Sequence, residues 1–425
     1  MISKVKDIAE AVNKLGGNTY YIGGYVRDRL LNKQCVDIDI EVHGITEQQL
    51  LSLLSSLGTV QSYGKSYKIY HLDHCAIDIS LSDHSLKEAC HRRDLTINAL
   101  AMDALTEQVF DFYNGINDLN NRILNYVDSE TFEQDKLRVF RACRFSAVLD
   151  FQMSDKLREL CRKIDCREVA KERVFNELRI SLLNSYKPSI FFENLRKCEQ
   201  LSYWFKEVED LIGVEQNPKY HREGDVYTHT LMVLDNAAKV KNICSNSLAF
   251  MLSALCHDFG KALTTEEIAG VIHSYGHEVK GILPTKKFLK RLSNDNDLRK
   301  YVLNMVRLHM LPNNLARSNS SAKATNKMFD QAIDKYGLIL LADADNKGRV
   351  CEEGITDNVA YLLDRYALYQ EYMQKDYVRA KDLQMLGIPA GKQYKELLEF
   401  AHKLRLAGVE KDKALKQVWK LYSNM

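Results

Sequence analysis

Two glycines and two aspartates form the strongest chemical pattern in the sequence. Gly23 and Gly24 stand between a β-type run and a helical run, and Asp37 and Asp39 lie in the next β-type run. Glycines at a strand-to-helix turn let backbone N–H groups approach phosphate oxygens, and the start of a helix carries a partial positive charge. Arg27, in the first turn of that helix, adds charged donors. The pattern predicts a binding site for a triphosphate.

The two aspartates are separated by one residue, which places their carboxylates on the same face of a strand. Paired carboxylates suit Mg²⁺, which prefers hard oxygen ligands and bridges them to nucleotide phosphates. Asp78, in a predicted hairpin around Asp73 and His74, is a third carboxylate that could orient or deprotonate an attacking hydroxyl. Either feature alone is more typical of a turn or a solvated strand edge, so the prediction of phosphoryl transfer depends on their combination.

A third motif, Arg92-Arg93-Asp94, is followed by Asn98 in the segment RRDLTINA. Asp94 can accept a hydrogen bond from a ribose hydroxyl, and Arg92 or Arg93 can donate to phosphate. On its own the segment could also be an exposed helix start that Asp94 caps. Together with the earlier motifs it resembles the polymerase-β-like nucleotidyltransferases, in particular the bacterial tRNA nucleotidyltransferases and poly(A) polymerases. The resemblance implies that these residues contact the ribose and the triphosphate of a nucleotide.

Two further segments match motifs of the same group, and we interpret both as structural. Residues 111–119, DFYNGINDL, are similar to the segment that closes the head domain. Residues 172–178, ERVFNEL, are similar to a neck motif and predict helix packing that supports the site. Neither is counted as catalytic.

Asp135 and Arg138 occupy a segment, QDKLRVFRACRF, that resembles the group's neck helix. Their i,i+3 spacing predicts that both side chains lie on one helix face, one as an acceptor and the other as a donor. The resemblance implies that they hydrogen-bond the Watson–Crick edge of the incoming base, and that Arg141 holds the triphosphate. The alternative is a surface ion pair of small energetic effect. Gln134 departs from the glutamate that the group usually has there.

The segment between the third carboxylate and the RRD motif is short. Only 13 residues, Ile79–His91, separate Asp78 from Arg92. In the group a longer flexible loop helps to switch the pocket from CTP to ATP, and shortened loops resemble those of CC-adding enzymes. Addition of the terminal A is therefore open, and a chain that adds only CC would need a separate A-adding enzyme as a partner.

Histidines and aspartates recur through the second half of the chain, at positions 229, 257, 258, 277, 309 and 345. Their order resembles that of HD-domain metal-dependent phosphohydrolases. Imidazole and carboxylate ligands from separate helices can hold a divalent transition metal or magnesium, whose bound water attacks a phosphate ester. The resemblance implies a 2′-phosphatase or 2′,3′-cyclic phosphodiesterase acting on tRNA ends. Asp343 and Asp345 are alternative candidates for the last metal ligand. The predicted ligands are His229, His257, Asp258 and Asp345, with His277 and His309 also in the pattern.

The last part of the chain predicts basic helices. It resembles the group's C-terminal region, which grips the acceptor and T arms of tRNA. Lysines there could meet phosphates, an interaction that carries little sequence information and weakens with salt. For each lysine taken alone, ordinary solvation is the more common account. The predicted RNA-binding residues are Lys381, Lys392, Lys395 and Lys403.

The patterns predict an α+β fold. A small mixed α/β nucleotidyltransferase head is followed by an all-helical neck, an HD body and a tail, because β-type runs fade after about residue 132. A polar stretch at 313–326 predicts a loop or hinge. The predicted domains are a head at 1–126, a neck at 127–200 that binds the base and tRNA, an HD-type domain at 201–375 and a tRNA-binding tail at 376–425.

Composition sets few limits on function. The chain has 425 residues, with 59 basic and 57 acidic side chains and a net charge of +2, so a nucleic-acid surface must be local. Its ten cysteines, among them Cys35, Cys75, Cys90, Cys161 and Cys166, form no CxxC pair and are interpreted as reduced core thiols. No apolar run is long enough to cross a bilayer, and we expect a cytoplasmic protein without a membrane partner.

The combined prediction is template-independent addition of C, and of A, from CTP and ATP to the 3′ end of tRNA, with Mg²⁺ in the head and a divalent transition metal in the HD domain. The closest alternatives are an enzyme that adds only CC and a bacterial poly(A) polymerase. An HD phosphohydrolase with a binding-only head and a tRNA-binding scaffold without chemistry are the alternatives from other classes. Intact carboxylates and base-reading positions argue against both.

Overall fold

The computed structural model describes residues 2–33, 35, 37–63, 68–72, 77–351 and 357–425. The chain forms two compact units, Met1–Leu178 with Ile190–Gln200, and Arg179–Ser189 with Leu201–Met425. None of the helices in the described ranges combines the length and the apolar character needed to span a membrane. The predicted turn residues Asp73 and His74, and Cys75, lie outside the described residues.

A seven-stranded sheet forms the head of the first unit. Its strands are β1 (Asn18–Ile22), β2 (Ile38–His43), β3 (Val60–Tyr63), β4 (Ile69–Leu72), β5 (Ile77–Ser82), β6 (Leu100–Asp103) and β7 (Val109–Asp111). They lie in the order β3-β4-β5-β2-β1-β6-β7. The pair β2 and β5 is parallel, and the other neighbours are antiparallel. Two residue pairs of β8 (Ile123–Leu124) and β9 (Gln152–Met153) form a separate short parallel ladder.

Helices pack against this sheet and continue into the neck. They are α1 (Ile2–Lys14), α2 (Gly24–Leu30), α3 (Glu47–Leu57), α4 (Leu86–His91), α5 (Gly115–Asn120), α6 (Ser129–Glu133), α7 (Arg138–Leu149), α8 (Asp155–Lys163), α9 (Lys171–Asn184) and α10 (Ser189–Lys197). In α1 the apolar positions Val5, Ile8, Ala9 and Val12 recur at helical spacing and are buried. They join the core formed by the inner faces of β1, β2 and β5.

The second unit is built of helices with one short hairpin. Its helices are α11 (Lys206–Glu209), α12 (Val226–Ala238), α13 (Ser247–Cys256), α14 (Lys261–Thr264), α15 (His277–Lys280), α16 (Ile282–Leu292), α17 (Asn296–Leu308), α18 (Met310–Arg317), α19 (Ala322–Gln331), α20 (Lys335–Lys347), α21 (Val359–Gln374), α22 (Ala380–Met385), α23 (Gln393–Leu406) and α24 (Lys411–Ser423). The hairpin joins β10 (Glu266–Ile268) and β11 (Val271–His273).

The predicted α+β fold, with a small sheet-containing head followed by a helical body, is confirmed. The chain after about residue 132 is essentially helical, as expected, with the short strands β9, β10 and β11 as exceptions. Ala269 and Gly270 both have positive φ angles, which a two-residue hairpin turn requires. The division into four domains stays a prediction.

The loop or hinge predicted at 313–326 is wrong. Helix α18 extends to Arg317 and α19 begins at Ala322, which leaves residues 318–321 between them. The stretch contains polar residues that are buried within the helices: Asn313 donates to the carbonyl of Ala342 at 2.9 Å, and Asn326 donates to the carbonyl of Leu406 at 2.9 Å. A buried asparagine paired with a backbone carbonyl is compatible with a helix.

The predicted thiol core agrees with the burial of the cysteines that were singled out. Cys90, Cys161 and Cys166 are buried, and Cys35 is half-buried. Burial raises the pKa of Cys90 to about 11 and the pKa of Cys166 to about 12. These two thiols are therefore protonated at neutral pH and behave as small apolar side chains.

Candidate active sites

The parallel register of β2 and β5 brings two of the predicted carboxylates together. Asp39 and Asp78 are direct partners in the ladder, so their side chains point to the same face of the sheet. Asp37 precedes β2, and all three line one cleft of about 1520 Å³. Asp39 is half-buried, whereas Asp37 and Asp78 are exposed. The structure therefore places the three predicted catalytic residues at one site.

The electrostatics of this cleft favour a cation. Burial raises the pKa of Asp39; Arg93 opposes the rise, and the neighbouring Asp78 and Asp37 add to it. Crowded carboxylates of this kind repel one another until a positive charge lies between them. Their oxygens form the hard donor set that Mg²⁺ prefers, so the residues present fit that ion. His71 on β4 contacts Asp78, with Nδ1 2.9 Å from Oδ1, a partner that the sequence did not indicate.

The glycine turn has the predicted strand-to-helix position. Gly23 precedes α2 with φ +62°, a left-handed value that favours glycine. Its N–H donates to the carbonyl of Leu100 at 3.3 Å, so that donor is used in a contact with β6. Gly24 lines the cleft as the first residue of α2.

A buried chain of hydrogen bonds links the glycine helix to the RRD motif. Arg27 donates to Asp28 through Nε at 2.8 Å and Nη2 at 2.9 Å, and through Nη1 to Asn98 at 2.7 Å. Asn98 donates to Asp94 at 2.9 Å, and Arg141 donates to the other oxygen of Asp94 at 2.7 Å. Three of the five N–H groups of Arg27 are used in this way. This series of hydrogen bonds fixes four predicted nucleotide-binding residues, Arg27, Asn98, Asp94 and Arg141, relative to one another.

Each charged side chain of the RRD motif contacts a polar or charged neighbour. Burial alone would raise the pKa of Asp94, but Arg141 and Asn98 keep it below its ordinary value, so the carboxylate is ionised at neutral pH. Arg92 contacts His84 through its guanidinium. Arg93 lies 3.5 Å from the buried carboxylate of Glu41 and lines the cleft. Both arginines line the same cleft as the three aspartates, and their contact with phosphate stays a prediction.

Asp135 and Arg138 line the cleft but do not share a helix. Asp135 lies in the turn before α7, because its carboxylate accepts from the backbone N–H of Leu137 at 3.2 Å, and Arg138 begins the helix. The prediction of a common helix face is wrong in this respect. Arg138 donates to the carbonyls of Thr131 and Arg92, both at 2.6 Å, which ties the neck to the RRD motif.

Arg173 is the main partner of Asp135. It donates from Nη2 at 2.8 Å and from Nη1 at 3.2 Å to the two carboxylate oxygens. Burial would raise the pKa of Asp135, but Arg173 and the N–H of Leu137 keep it low. Sequence reasoning treated the segment with Arg173 as helix packing, and no local spacing signals a contact between residues so far apart in the chain.

Three arginines surround the ring of Phe145 at the back of the cleft. The guanidinium carbons of Arg27, Arg141 and Arg144 lie 5.1, 5.5 and 3.8 Å from the ring centre. Arg144 is also paired with the buried carboxylate of Glu177. Cation–π contacts at such distances are attractive and help to hold like charges together. The RxxRF spacing was the only signal for Arg144 and Phe145, and it was interpreted as part of the neck motif.

The second candidate site lies in the second unit and centres on Asp258. His229 comes from α12, and His257 and Asp258 follow α13 directly. Nε2 of His229 lies 3.6 Å, and Nε2 of His257 lies 3.2 Å, from Oδ2 of Asp258. Asp345 on α20 completes the group, with Oδ1 3.2 Å from Nε2 of His229. All four predicted ligands are brought together and are almost fully buried.

The structure separates Asp345 from its competitor. Asp345 faces His229 and is held by Arg349 at 2.7 Å, whereas Asp343 pairs with Lys347 at 2.6 Å. Burial would raise the pKa of Asp345, but Arg349 and His229 keep it well below its ordinary value. The same balance applies to Asp258, where His257 and Lys261 outweigh burial. Both carboxylates are therefore anionic donors suited to a divalent metal ion.

Other polar groups around this site were not in the predicted ligand set. His277 and His309 lie beside Asp258 and are buried. Glu223 lies 3.0 Å from Nδ1 of His229 and 2.7 Å from Nδ1 of His221. Burial lowers the pKa of His221 to about 4, so this imidazole is neutral at neutral pH. The histidines were visible in the sequence, but their convergence depends on helices that are distant in the chain.

The four predicted RNA-binding lysines are exposed. Lys381 lies on α22, Lys392 precedes α23, and Lys395 and Lys403 lie on α23. These helices are held by a small apolar core of their own, which includes Leu383, Leu397, Ala401 and Val418. Exposure is compatible with phosphate contacts and also with simple solvation.

The fold and the two sites define a class. A mixed sheet with three carboxylates in one cleft, followed by a helical unit with a buried His–Asp cluster, is the architecture of a nucleotidyltransferase with an HD domain. Residues 66–125 match the family model of the poly A polymerase head domain, and residues 226–347 match that of the HD domain.

Curated relatives and solved structures narrow the class. The chain is 33% identical to the multifunctional CCA protein of Actinobacillus pleuropneumoniae serotype 5b over 364 residues, covering 78% of this chain and 85% of the relative. It is 30% identical to the multifunctional CCA protein of Pasteurella multocida over 93% of this chain and 97% of the relative. The chain belongs to the multifunctional CCA protein family. The resemblance seen in the sequence is thereby confirmed.

The fold is also that of solved CCA-adding enzymes. The Thermotoga maritima CCA-adding enzyme complexed with tRNA is similar with a TM-score of 0.69 and 18% identity, over 99% of this chain and 95% of that chain. A CCA-adding enzyme in complex with CTP is similar with a TM-score of 0.69 and 16% identity, over 99% of this chain and 93% of that chain. At these identities the likeness concerns the fold.

Proposed function

We propose that the first unit adds C, and then A, from CTP and ATP to the 3′ end of tRNA without a template. One observation carries the proposal: the carboxylates for nucleotidyl transfer and the polar pair for base recognition line the same cleft. Membership in the multifunctional CCA protein family supports it, as does the likeness to enzymes solved with tRNA, CTP and ATP.

In the proposed reaction Asp37 and Asp39 would hold Mg²⁺, and Asp78 is the third carboxylate beside them. An ion held there would supply Lewis-acid activation of the attacking hydroxyl and charge neutralisation for the departing pyrophosphate. Asp78 orients the tRNA 3′-OH and accepts its proton, and His71 keeps that carboxylate in place through its contact at 2.9 Å. Asp94 accepts from the ribose hydroxyl. Arg93 donates to the phosphates, because its contact with Glu41 is long at 3.5 Å.

The phosphate-binding roles of Arg27, Arg92 and Arg141 remain part of the proposal. Arg27 and Arg141 lie at two ends of the buried hydrogen-bond chain, and both guanidinium groups keep N–H donors beyond those used in it. Gly23 and Gly24 let the start of α2 lie close to the cleft. Asn98 connects the two arginines through Asp94 and so positions them.

Asp135 and Arg138 read the base in this proposal. An anionic acceptor and a guanidinium donor can match the hydrogen-bonding edges of cytosine and adenine, and they place an acceptor opposite the acceptor O6 of guanine. Arg173 presents the Asp135 carboxylate to the cleft through two hydrogen bonds. It thereby acts as a positioning residue for base selection.

We expect Arg173→Ala to lower kcat/KM for CTP by about three- to fivefold, mainly through KM, because a half-exposed ion pair contributes little more. Discrimination against GTP should fall as well, since the carboxylate is no longer held in one orientation. Steady-state incorporation of each nucleotide measures both effects. Arg173→Lys should restore only part of the loss, because lysine lacks the two-pronged donor.

The matched control for this variant is Lys136→Ala, which removes an exposed ion pair with Glu168 beside the same turn. It should leave the kinetics unchanged. Equal KM values and equal discrimination in the Arg173→Ala protein would contradict the positioning role.

The proposed RNA substrate is tRNA, and the helices of the tail provide part of its binding surface. Lys381, Lys392, Lys395 and Lys403 would contact phosphates there, and such contacts make binding depend on salt. We also propose a cytoplasmic location, because the proposed substrate is used there.

A comparison of two RNA substrates tests this proposal against a poly(A) polymerase. One is a tRNA transcript lacking CCA, and the other is an unstructured RNA with the same 3′ sequence. We expect limited addition to the tRNA and little to the linear RNA. Long A tails on the linear RNA would contradict the proposal and favour the polymerase.

The short, ordered segment between Asp78 and the RRD motif favours an enzyme that adds only CC. The segment Ile79–His91 is taken up by the end of β5 and by α4, which leaves residues 83–85 between them. Helix α4 begins with a capping box in which Ser85 and Glu88 satisfy each other's backbone N–H groups. This second candidate function would require a separate A-adding enzyme.

We propose that the second unit is a metal-dependent phosphohydrolase acting on tRNA ends. His229, His257 and Asp258 form a buried donor set of imidazoles and a carboxylate that fits a divalent transition metal ion, and Asp345 adds a second carboxylate 3.2 Å from His229. Lys261, 2.7 Å from Asp258, and Arg349 add positive charge where a phosphate would bind. A 2′,3′-cyclic phosphate on damaged tRNA is the proposed substrate.

We expect His257→Ala to abolish phosphate-ester hydrolysis because it removes a ligand whose Nε2 lies 3.2 Å from Asp258. A tRNA transcript ending in a 2′,3′-cyclic phosphate, supplied with a divalent metal, measures the activity. CMP incorporation by the same protein should be unchanged and reports that the chain is folded. Unchanged hydrolysis in the variant would contradict the proposed site.

A further inference from the structure

Glu41 is a buried carboxylate at the cleft to which the proposed reaction gives no role. It lies two residues after Asp39 on β2, so both side chains point to the same face of the sheet, and both line the cleft. The side chain of Glu41 is only 9% exposed. A buried charge needs partners in the fold, because its removal from water is costly without them. The partners of Glu41 therefore indicate its role.

His43 holds one oxygen of this carboxylate. Its Nε2 lies 2.9 Å from Oε1 of Glu41, and neither atom has another hydrogen-bond partner among the residues that the structure describes. Nδ1 of His43 lies 2.9 Å from the carbonyl oxygen of His84, which only accepts, so Nδ1 carries a hydrogen. The ring also packs edge-on against Tyr20, with the ring centres 5.4 Å apart. The imidazole is thus fixed on three sides and anchors the carboxylate.

The other oxygen of Glu41 faces Arg93. Nη2 of Arg93 lies 3.5 Å from Oε2. Burial would raise the pKa of Glu41, but His43 and Arg93 keep it below its ordinary value. The group is therefore a carboxylate at neutral pH, and it attracts the guanidinium from the side opposite to His43.

The guanidinium of Arg93 lies between Glu41 and the glycine turn. Its Nη1 is 3.7 Å from the position that a Cβ on Gly23 would occupy. Its charge also opposes the rise that burial causes in the pKa of Asp39. The backbone N–H of Arg93 donates to the carbonyl of Cys90 at 3.1 Å, which fixes the main chain after α4. The side chain therefore reaches the part of the cleft between the glycines and the aspartates.

We propose that Glu41, anchored by His43, is a positioning residue that directs Arg93 toward the phosphates of the incoming nucleotide. The inference rests on the proposed nucleotidyl transfer and adds a residue to it. The contact of 3.5 Å restricts the orientation of the guanidinium and leaves donors for a phosphate. An arginine that is oriented before the nucleotide arrives loses less rotamer freedom on binding. Glu41 acts through Arg93 and not on the nucleotide.

The competing account makes Glu41 and His43 a structural pair. In it the pair only joins β2 to the turn before α4, through the carbonyl of His84. Loss of the pair would then lower the stability of the head and leave the KM for CTP unchanged. It would also act independently of Arg93. Nucleotide kinetics in a double-mutant cycle therefore separate the two accounts.

The experiment measures kcat and KM for CTP on a tRNA transcript lacking CCA, with the full chain. Glu41→Gln keeps the size of the side chain and removes its charge. We expect the KM to rise about tenfold and kcat to stay within about threefold of the parent, because a misplaced phosphate-binding group weakens nucleotide binding. Glu47→Gln is the matched control, since this exposed carboxylate accepts from Lys68 and Tyr70 and does not line the cleft. Its KM should equal that of the parent.

The cycle adds Arg93→Ala and the double variant. Arg93→Ala should raise the KM for CTP by more than Glu41→Gln does. The double variant should show no further loss, because Glu41 then has no guanidinium to position. Glu41→Asp keeps the charge on a shorter side chain and should give a KM between those of the parent and Glu41→Gln. Circular dichroism reports whether each variant is folded.

A KM for Glu41→Gln within about twofold of the parent, or losses that multiply in the double variant, would overturn the positioning role and leave nucleotidyl transfer standing. Absence of CMP incorporation by the parent would instead contradict the proposed function itself.

Discussion

Asp39→Asn should reduce CMP incorporation by about 10³-fold or more, mostly in kcat, because metal-ion stabilisation of the transition state amounts to several kcal/mol. Asp39 is the half-buried member of the carboxylate group and the direct ladder partner of Asp78. Asparagine keeps the size of the side chain and removes its charge, so the sheet should remain intact. Single-turnover incorporation of CMP into a tRNA lacking CCA measures the loss.

The matched control is Asp83→Asn, an exposed aspartate just after β5. It is not among the residues that line the cleft, and its incorporation rate should match the parent. The HD phosphohydrolase should be unaffected in both variants. A rate for Asp39→Asn within about tenfold of the parent, a difference of only 1.4 kcal/mol, would contradict the catalytic role.

Asp135→Ala should remove most of the discrimination between CTP and GTP. A site that reads a base through buried or half-buried polar groups rejects a wrong partner because those groups are left unpaired or repelled, an effect on the order of 10²-fold or more. Without the carboxylate, that repulsion against guanine O6 is lost, and Arg173 is left without its partner. Incorporation rates for CTP, ATP, UTP and GTP, each supplied alone, give the change.

Glu133→Ala is the control for this variant, since it removes an exposed carboxylate at the end of α6 only two residues away. It should keep the selectivity of the parent. If Asp135→Ala selects CTP over GTP as strongly as the parent does, base reading must lie elsewhere in the cleft.

The head was predictable because its signals are local. Alternation of acidic and β-branched residues predicted strands at β2 and β5. The one-residue spacing of Asp37 and Asp39 predicted that their carboxylates lie on one face. The parallel pairing that sets Asp39 beside Asp78 is not a local property, since it joins strands that are separated along the chain by α3, β3 and β4. The sequence indicated Asp78 as a third carboxylate from its place in a predicted hairpin, but it did not indicate that Asp78 is the ladder partner of Asp39.

Contacts between distant segments were not predictable. Arg173 meets Asp135 across 38 residues, and Arg138 meets the carbonyl of Arg92 across 46. Helical periodicity predicted that Asp135 and Arg138 share a helix face. Asp135 instead lies in the turn before α7, where its carboxylate accepts from the N–H of Leu137. Side-chain competition with the helix is a familiar property of aspartate.

The second unit shows the same limit. The sequence contained His277 and His309 in the expected order, but nothing in their spacing said that their rings meet at Asp258. The polar stretch around Asn326 was interpreted as a loop, whereas Asn326 is buried and donates to the carbonyl of Leu406 at 2.9 Å. A polar side chain can be buried when the fold provides it with a hydrogen-bond partner, so polarity alone does not predict exposure.

Stepwise extension of tRNA is the most direct test of the central claim. Purified protein and Mg²⁺ are incubated with transcripts that end before CCA, after C or after CC, and with CTP alone, ATP alone or both. The account predicts that CTP alone extends the first two transcripts to CC and that ATP then adds one A. Arrest after CC in the presence of ATP would identify the CC-adding alternative. Absence of CTP incorporation into any transcript would contradict the account.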